Sequence, residues 1–118
     1  RDRSYPLETC IAEKFEAVVK RGAATTRARD LYDIATLVRL YEPAIDWGTL
    51  CEAVRRTSEH RGSSDMMKHY ELVSREIEGS NEIARIWSAY TRLNPYAAAV
   101  SVEDAMNAVR MIGRRIGL

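Results

Sequence analysis

The stretch that decides the fold is "IAEKFEAVVKRGAATTRARDLYDIATL", which runs from Ile11 to Leu37. Apolar residues recur every three or four positions on both sides of the small-residue segment GAATT (22–26). This spacing is typical of two amphipathic helices joined by a loop. Two charges interrupt the apolar pattern, because Lys14 lies among apolar residues of the first helix and Asp30 among those of the second. Charged side chains are rarely enclosed without a partner, so both positions need a chemical reason.

Composition places the chain among globular domains. It has 118 residues, of which 46% are hydrophobic and 30% charged, and this length fits one domain with its own core. The 18 basic and 17 acidic residues leave a formal net charge of +1. No field of one sign therefore covers the molecule, and the overall charge gives no argument for binding to nucleic acid or to a membrane.

Helical periodicity recurs along the rest of the chain, and no strand pattern is found. The sequence predicts an all-α fold, a single domain of about six helices over residues 1–118. The second of these helices is predicted over about 28–41. Residues typical of helix starts and stops mark the predicted boundaries, namely Pro6, Gly22, Pro43, Asp46 and the pair Ser101 with Asp104, which has the spacing of a capping box.

The two cysteines, Cys10 and Cys51, have no metal-site or disulfide spacing. Each falls on the apolar side of a predicted helix, so both are predicted to be reduced core residues of a cytoplasmic protein. There is no signal-peptide pattern and no apolar run near 18 residues, so no association with a membrane is expected.

Each misplaced charge has a structural interpretation and a functional one. The stem of Lys14 could lie along apolar surface while its ammonium reaches water. Asp30 and Asp33 could complement the positive end of the second helix, an explanation that weakens for Asp33 because it lies further into the helix. In the functional interpretation, Lys14 meets the carboxylates of Asp30 and Asp33 on one surface.

The functional interpretation depends on how the first two helices meet. A short loop between them predicts antiparallel neighbours, which would bring Lys14 near the start of the second helix. Arg27 and Arg29 stand at that start, where backbone N–H groups and guanidinium groups favour an anion such as phosphate. The residues alone therefore predict half of a binding site for a phosphorylated ligand.

Three segments resemble a known family. "YPLETCIAEKFEAVVKRGAATTRARDLYDIATL" (5–37) resembles the C-terminal motifs "YPLEDxxAEKxxAxxxRG" and "RxKDxYDL" of the AbiEii/AbiGii nucleotidyltransferase toxins, the DUF1814 group. "LCEAVRRTSEHRGS" (50–63) is similar to that family's "AIxxTFxxRGT" segment, and the helix with "IARIWSAY" (83–90) suits it. The resemblance covers most of the chain, and the first 40 residues carry nearly all of its specificity.

The resemblance implies a bacterial toxin of a toxin–antitoxin system that acts in abortive infection by phage. Complete members have an N-terminal α/β lobe with a Gly-Ser motif and a pair of metal-binding acids, and a helical C-terminal lobe that closes the site. The implied reaction transfers a nucleotidyl group from an NTP with Mg²⁺ to an RNA acceptor such as tRNA. The implied protein partner is an antitoxin.

The family's functional residues map onto this chain by motif. The Lys of "AEK" is Lys14, which the resemblance assigns to the triphosphate, and the two Asp of "KDxYD" are Asp30 and Asp33. Asp30 would act as a base or orient Lys14 or the acceptor hydroxyl, and Asp33 would support it. Two departures are Arg29 in place of the motif Lys, and Ser58 in place of Phe.

No Gly-Ser motif followed by a D-x-D pair that could hold the metal is found in the 118 residues; only "RGSSD" (61–65) comes near, and it lies on the wrong side of the other motifs. The sequence is therefore expected to be the C-terminal lobe of a longer enzyme, inactive by itself, that begins near an inter-lobe strand ending at "SYP" (4–6). Its first partner would be the missing N-terminal lobe, and the surface left exposed could support a dimer. Two alternatives stay open: a helical interaction module that binds an antitoxin or RNA without chemistry, and a purely structural helical domain.

Overall fold

A computed structural model describes residues 6–118. Over these residues the chain is all-α, with no strand, as predicted. The α-helices are α1 (Pro6–Thr25), α2 (Ala28–Tyr41), α3 (Trp47–Arg61), α4 (Ser64–Met67), α5 (Tyr70–Glu78), α6 (Asn81–Leu93) and α7 (Val102–Arg115). Two 3-10 helices, Glu42–Ala44 and Pro95–Ala99, lie after α2 and α6. The inter-lobe strand predicted to end at residues 4–6 falls, apart from Pro6, outside the described residues.

Helix α1 is the centre of the fold. It packs against α2, α3, α4 and α5, while α7 covers α2 and α5 from the other side. Residues on several sides of α1 are consequently enclosed, among them Ile11, Phe15 and Val18, which have no exposed surface. A helix surrounded in this way buries more than the single stripe that an amphipathic surface helix needs.

The predicted helix boundaries are confirmed at the caps. Asp46 precedes α3 and its carboxylate accepts a hydrogen bond of 2.9 Å from the backbone N–H of Thr49. Ser101 and Asp104 form both bonds of a capping box at the start of α7. Gly22 has φ 61° and ψ −161°, which interrupts the helical backbone of α1 and is strained for any residue with a side chain.

Three sequence predictions about individual positions are wrong. The spacing of Met66, Tyr70, Val73 and Ile77 predicts one continuous fourth helix with Met66 in the core, but the structure divides it into α4 and α5, with Met67 buried and Met66 39% exposed. Cys51, predicted to be a core residue, is exposed on α3, and Cys10 is only half-buried; both are free thiols. The residues of α3 that enter the core are instead Leu50, Val54 and Ser58, because only that side of the helix faces α1.

Within residues 6–118, the helices are too short or too polar for any of them to cross a lipid bilayer.

The contact between α5 and α7 is close enough to require a glycine. A Cβ on Gly113 would lie 2.5–2.6 Å from three ring atoms of Tyr70, whose side chain is itself buried. We expect Gly113→Ala to lower the free energy of unfolding by about 1–3 kcal/mol through overpacking. This loss exceeds the gain of about 1 kcal/mol that alanine brings to a helix interior. Urea unfolding of the two proteins measures the difference.

Gly48→Ala is the matched control, because a Cβ there meets only Asp46 Oδ1 at 3.5 Å, an ordinary contact. It should be neutral or stabilise by up to about 1 kcal/mol. Equal effects of the two substitutions would contradict the close packing of Tyr70 on Gly113.

Candidate active site

The side chains of Lys14, Asp30 and Asp33 meet between α1 and α2. Lys14 Nζ lies 3.1 Å from Asp30 Oδ1 and 2.9 Å from Asp33 Oδ2. The structure thus brings together the three residues that the sequence singled out, although they are up to 19 positions apart in the chain. An ammonium has three N–H donors, so two carboxylates leave one donor for a further acceptor. With Arg27 and Arg29, these residues are called the ion cluster below.

Arg27 and Arg29 form the solvent-exposed edge of the ion cluster. Arg27 Nε donates to Asp30 Oδ2 at 3.1 Å, and Arg29 Nε lies 3.9 Å from Asp33 Oδ2. Their side chains are 60% and 80% exposed, against 4% for Asp30. The arrangement is therefore a buried carboxylate at the base, a half-buried lysine above it and two cations at the rim.

Local backbone structure places Asp30 at the base. The chain reverses after the break at Gly22, where the Thr26 hydroxyl donates to the Gly22 carbonyl. Arg27 takes the N-cap position of α2 in an extended conformation, and its side chain makes no cap hydrogen bond. Its guanidinium is directed instead to Asp30, in the first turn of α2. The turn between α1 and α2 thus also supplies the cation, Arg27, that pairs with Asp30.

Two opposing effects act on the pKa of Lys14. Partial burial lowers the pKa of the ammonium, while hydrogen bonds to Asp33 and Asp30 raise it, and the net result is a raised pKa. Lys14 therefore carries its charge throughout the physiological range and is a source of fixed positive charge, not a proton acceptor.

Three of the four carboxylate oxygens of Asp30 and Asp33 lie next to cations of the ion cluster. Both oxygens of Asp30 already accept from cations, and Asp33 Oδ2 lies between Lys14 and Arg29. Among the described residues, no three His, Cys, Asp or Glu side chains are grouped as metal ligands. Hard cations need free oxygen ligands, so the chemistry of this donor set fits a phosphate better than a metal.

A second buried carboxylate, Glu16, lies on another side of α1. Helical periodicity alone predicts that Glu16, like Glu13 and Lys20, lies opposite the apolar face of α1, and this prediction is wrong because its side chain is 2% exposed. Its Oε1 accepts from Arg61 Nη1 at 2.8 Å and its Oε2 from the Ser63 hydroxyl at 2.7 Å. The error arises because α3 covers the face of α1 that a lone amphipathic helix would leave in water. Both partners belong to the "RGS" segment of residues 61–63. The similarity of this segment to a family motif was the sequence signal that could have identified them.

A comparison of the sequence with models of protein families finds a match that includes these residues. The model of one family, described as nucleotidyl transferase AbiEii toxin of a type IV toxin–antitoxin system, matches residues 3–106. The chain belongs to the AbiEii family. The match spans the ion cluster, Glu16 and the "RGS" segment together. The curated proteins and the solved structures that were compared give no significant match.

In this AbiEii protein, the motif residues outside the ion cluster also have identifiable contacts. Glu8, from the "YPLE" motif, is buried and accepts a 2.8 Å hydrogen bond from the backbone N–H of Asp46, which fixes the start of α3. Ser58, where the resemblance pointed to a Phe, is buried and its hydroxyl donates to the carbonyl of Arg55. These residues support the packing of α1 with α3 and do not touch the ion cluster.

Removal of Glu16 should destabilise the fold more than removal of its exposed neighbour. Glu16→Ala leaves the buried Ser63 hydroxyl and one face of Arg61 without their acceptor, so we expect a loss of about 1–3 kcal/mol. Glu13 is exposed and lies about one helical turn before Glu16. The free energy of unfolding of Glu13→Ala should therefore stay within about 0.5 kcal/mol of that of the parent protein. Chemical denaturation measures both, and a loss in Glu16→Ala as small as that in Glu13→Ala would contradict a structural role for the buried pair.

The raised pKa of Lys14 predicts how its contribution to stability depends on pH. A pKa that is higher in the folded state means that folding favours the protonated form. The contribution is therefore complete below the unfolded-state value of about 10.4 and is lost as pH rises through the higher folded value. The difference in unfolding free energy between the parent protein and Lys14→Met should be constant from pH 6 to 9 and shrink above that unfolded-state value. Paired urea titrations would refute this if the difference already fell between pH 7 and 9.

Proposed function

We propose that this chain supplies the triphosphate-binding face of a nucleotidyl-transfer site in a toxin that modifies RNA. The observation that carries the proposal is the Lys14 ammonium, held by Asp30 and Asp33 with one donor left and flanked by two exposed arginines. Membership in the AbiEii family supports the reaction class. Mg²⁺ and an NTP belong to the proposal, with the metal held by acids of an N-terminal lobe and not by the described residues.

The proposed step is attack of an acceptor hydroxyl oxygen on the α-phosphorus of the NTP. The new P–O bond joins the nucleotide to the RNA, the bond to the β-phosphate breaks, pyrophosphate leaves with the electron pair, and the hydroxyl proton is released to water. Fixed cations stabilise the charge that develops on the phosphate oxygens. Lys14 is suited to this role because its charge and position are set before substrate arrives.

We assign Asp30 to positioning Lys14. Its side chain is 4% exposed and both of its oxygens already accept hydrogen bonds, from Lys14 and from Arg27. A general base needs a free oxygen within hydrogen-bond reach of the proton it takes. Asp33 is 25% exposed and supports Lys14 from the second side.

The test uses the complete gene product that contains this chain. Lys14→Ala should lower kcat for transfer of labelled nucleotide to RNA by about 10²–10³-fold, the typical loss for one group that stabilises the transition state. It should also abolish growth arrest on expression. Lys68→Ala removes an exposed lysine between α4 and α5 and should leave both unchanged.

Asp30→Asn tests the positioning role, because asparagine keeps the shape and removes the charge. It should lower kcat more than it raises KM, with the melting temperature recorded to exclude unfolding. Full transfer and toxicity in both Lys14→Ala and Asp30→Asn would refute the enzyme proposal and favour a non-catalytic module that binds an antitoxin or RNA.

The proposed N-terminal lobe is tested by the gene itself. The reading frame upstream of the codon for Arg1 should encode a Gly-Ser motif and a D-x-D pair. A frame that starts immediately before Arg1 without these motifs would refute the proposal that this chain is one lobe of a nucleotidyltransferase.

A further inference from the structure

A groove of about 420 Å³ lies beside the ion cluster. Its walls come from the second half of α1, the turn before α2 and the end of α3. The polar and charged residues that line it are Lys20, Arg21, Thr25, Arg27, Arg61 and Glu16. Lys20 and Arg21 were not singled out from the sequence as ligand residues, whereas Arg61, with Arg55 and Arg56, could be read from it either as an RNA contact or as part of a solvated face.

The groove carries an excess of positive charge. Four cations line it against one carboxylate, and that carboxylate, Glu16, is 2% exposed and already engaged by Arg61 and Ser63. Within residues 6–118, no carboxylate lies within 4 Å of Lys20 or Arg21 to form a salt bridge. Cations gathered on one concave surface repel each other unless an anion is present, so the groove attracts counter-ions.

Glu16 gives the groove a fixed floor. It holds Arg61 Nη1 at 2.8 Å, and Arg61 remains 41% exposed, so part of the guanidinium faces the groove. Arg27 forms the other end and belongs to both sites, since its Nε bonds to Asp30 in the ion cluster. Two side chains, Arg27 and Asp30, therefore connect the groove to Lys14.

We propose that this groove binds the phosphate groups of a substrate of the transfer reaction, so that they run from Arg61 past Arg21 and Lys20 to the ion cluster. The guanidinium groups match the paired oxygens of phosphate, and the lysine adds a point charge. The inference rests on the proposed function. Phosphates of this kind have two sources, the triphosphate of the NTP and the backbone of the acceptor RNA, and the experiment separates them.

The test is steady-state transfer by the complete gene product carrying the double substitution Lys20→Gln and Arg21→Gln. Both residues are exposed and lie on the rim of the groove, so the fold should be unaffected. The matched control is Lys68→Gln with Arg92→Gln, which removes the same two charges from exposed positions outside the groove. We expect the double substitution to raise one KM by about tenfold or more and the control to change neither.

The substrate whose KM changes identifies the ligand. A higher KM for the NTP alone assigns the groove to the triphosphate. A higher KM for the RNA alone, with a salt dependence of RNA binding that is shallower by about 1.4 in the log–log slope for two lost contacts on a single strand, assigns it to the backbone. Unchanged KM values for both substrates, or equal changes in the control, would overturn the inference.

A direct binding measurement keeps this inference separate from the proposed reaction. Inorganic tripolyphosphate should raise the melting temperature of the parent protein in a concentration-dependent way, and this shift should be lost in Lys20→Gln with Arg21→Gln but kept in the control. If the parent protein transfers no nucleotide but keeps this pattern, the reaction proposal fails and the phosphate groove stands. If the parent protein shows no shift, or the double substitution keeps it, the groove inference fails whatever the activity.

Discussion

The buried carboxylate of Asp30 is the constraint on which the rest of the structure depends. At 4% exposure it has lost its water, and an enclosed carboxylate is tolerated only with cations and hydrogen bonds in its place. Lys14 supplies one cation from α1 and Arg27 supplies the other from the turn before α2. The two helices can therefore pack in only one register, and the charged rim forms at the point where they meet.

Glu16 applies the same constraint to a different pair of elements. Its contacts with Arg61 and Ser63 join α1 to the end of α3, while Glu8 joins the start of α1 to the start of α3 through the backbone of Asp46. Buried ion pairs contribute little net stability compared with apolar residues of the same size, but they penalise every packing that separates the partners. The ion pair of Glu16 and the hydrogen bond of Glu8 orient α3 on α1, and the first of them holds Arg61 at the groove.

The apolar core and the charged surface of α1 have separate tasks in this AbiEii protein. Phe15, Ile11 and Val18 secure the helix at the centre of the fold, so the side chains on its remaining surface start from a rigid backbone. Groups that are already in place when a ligand arrives lose little freedom on binding, which is the physical advantage of building a site on helices. Arg27 belongs to both the ion cluster and the groove and so joins them.

Sequence alone determined the all-α class, the bounds of α2 and the caps at Asp46 and Ser101, and it offered the pairing of Lys14 with Asp30 and Asp33 as one of two interpretations. Class, bounds and caps depend on local spacing, and the short connection predicted that α1 and α2 are neighbours, as the structure shows. Burial of Glu16, exposure of Cys51 and assembly of the groove from α1 and α3 were decided only by tertiary structure. Periodicity identifies one apolar face of a helix, but it does not say how many neighbours surround that helix or which of its polar residues they cover.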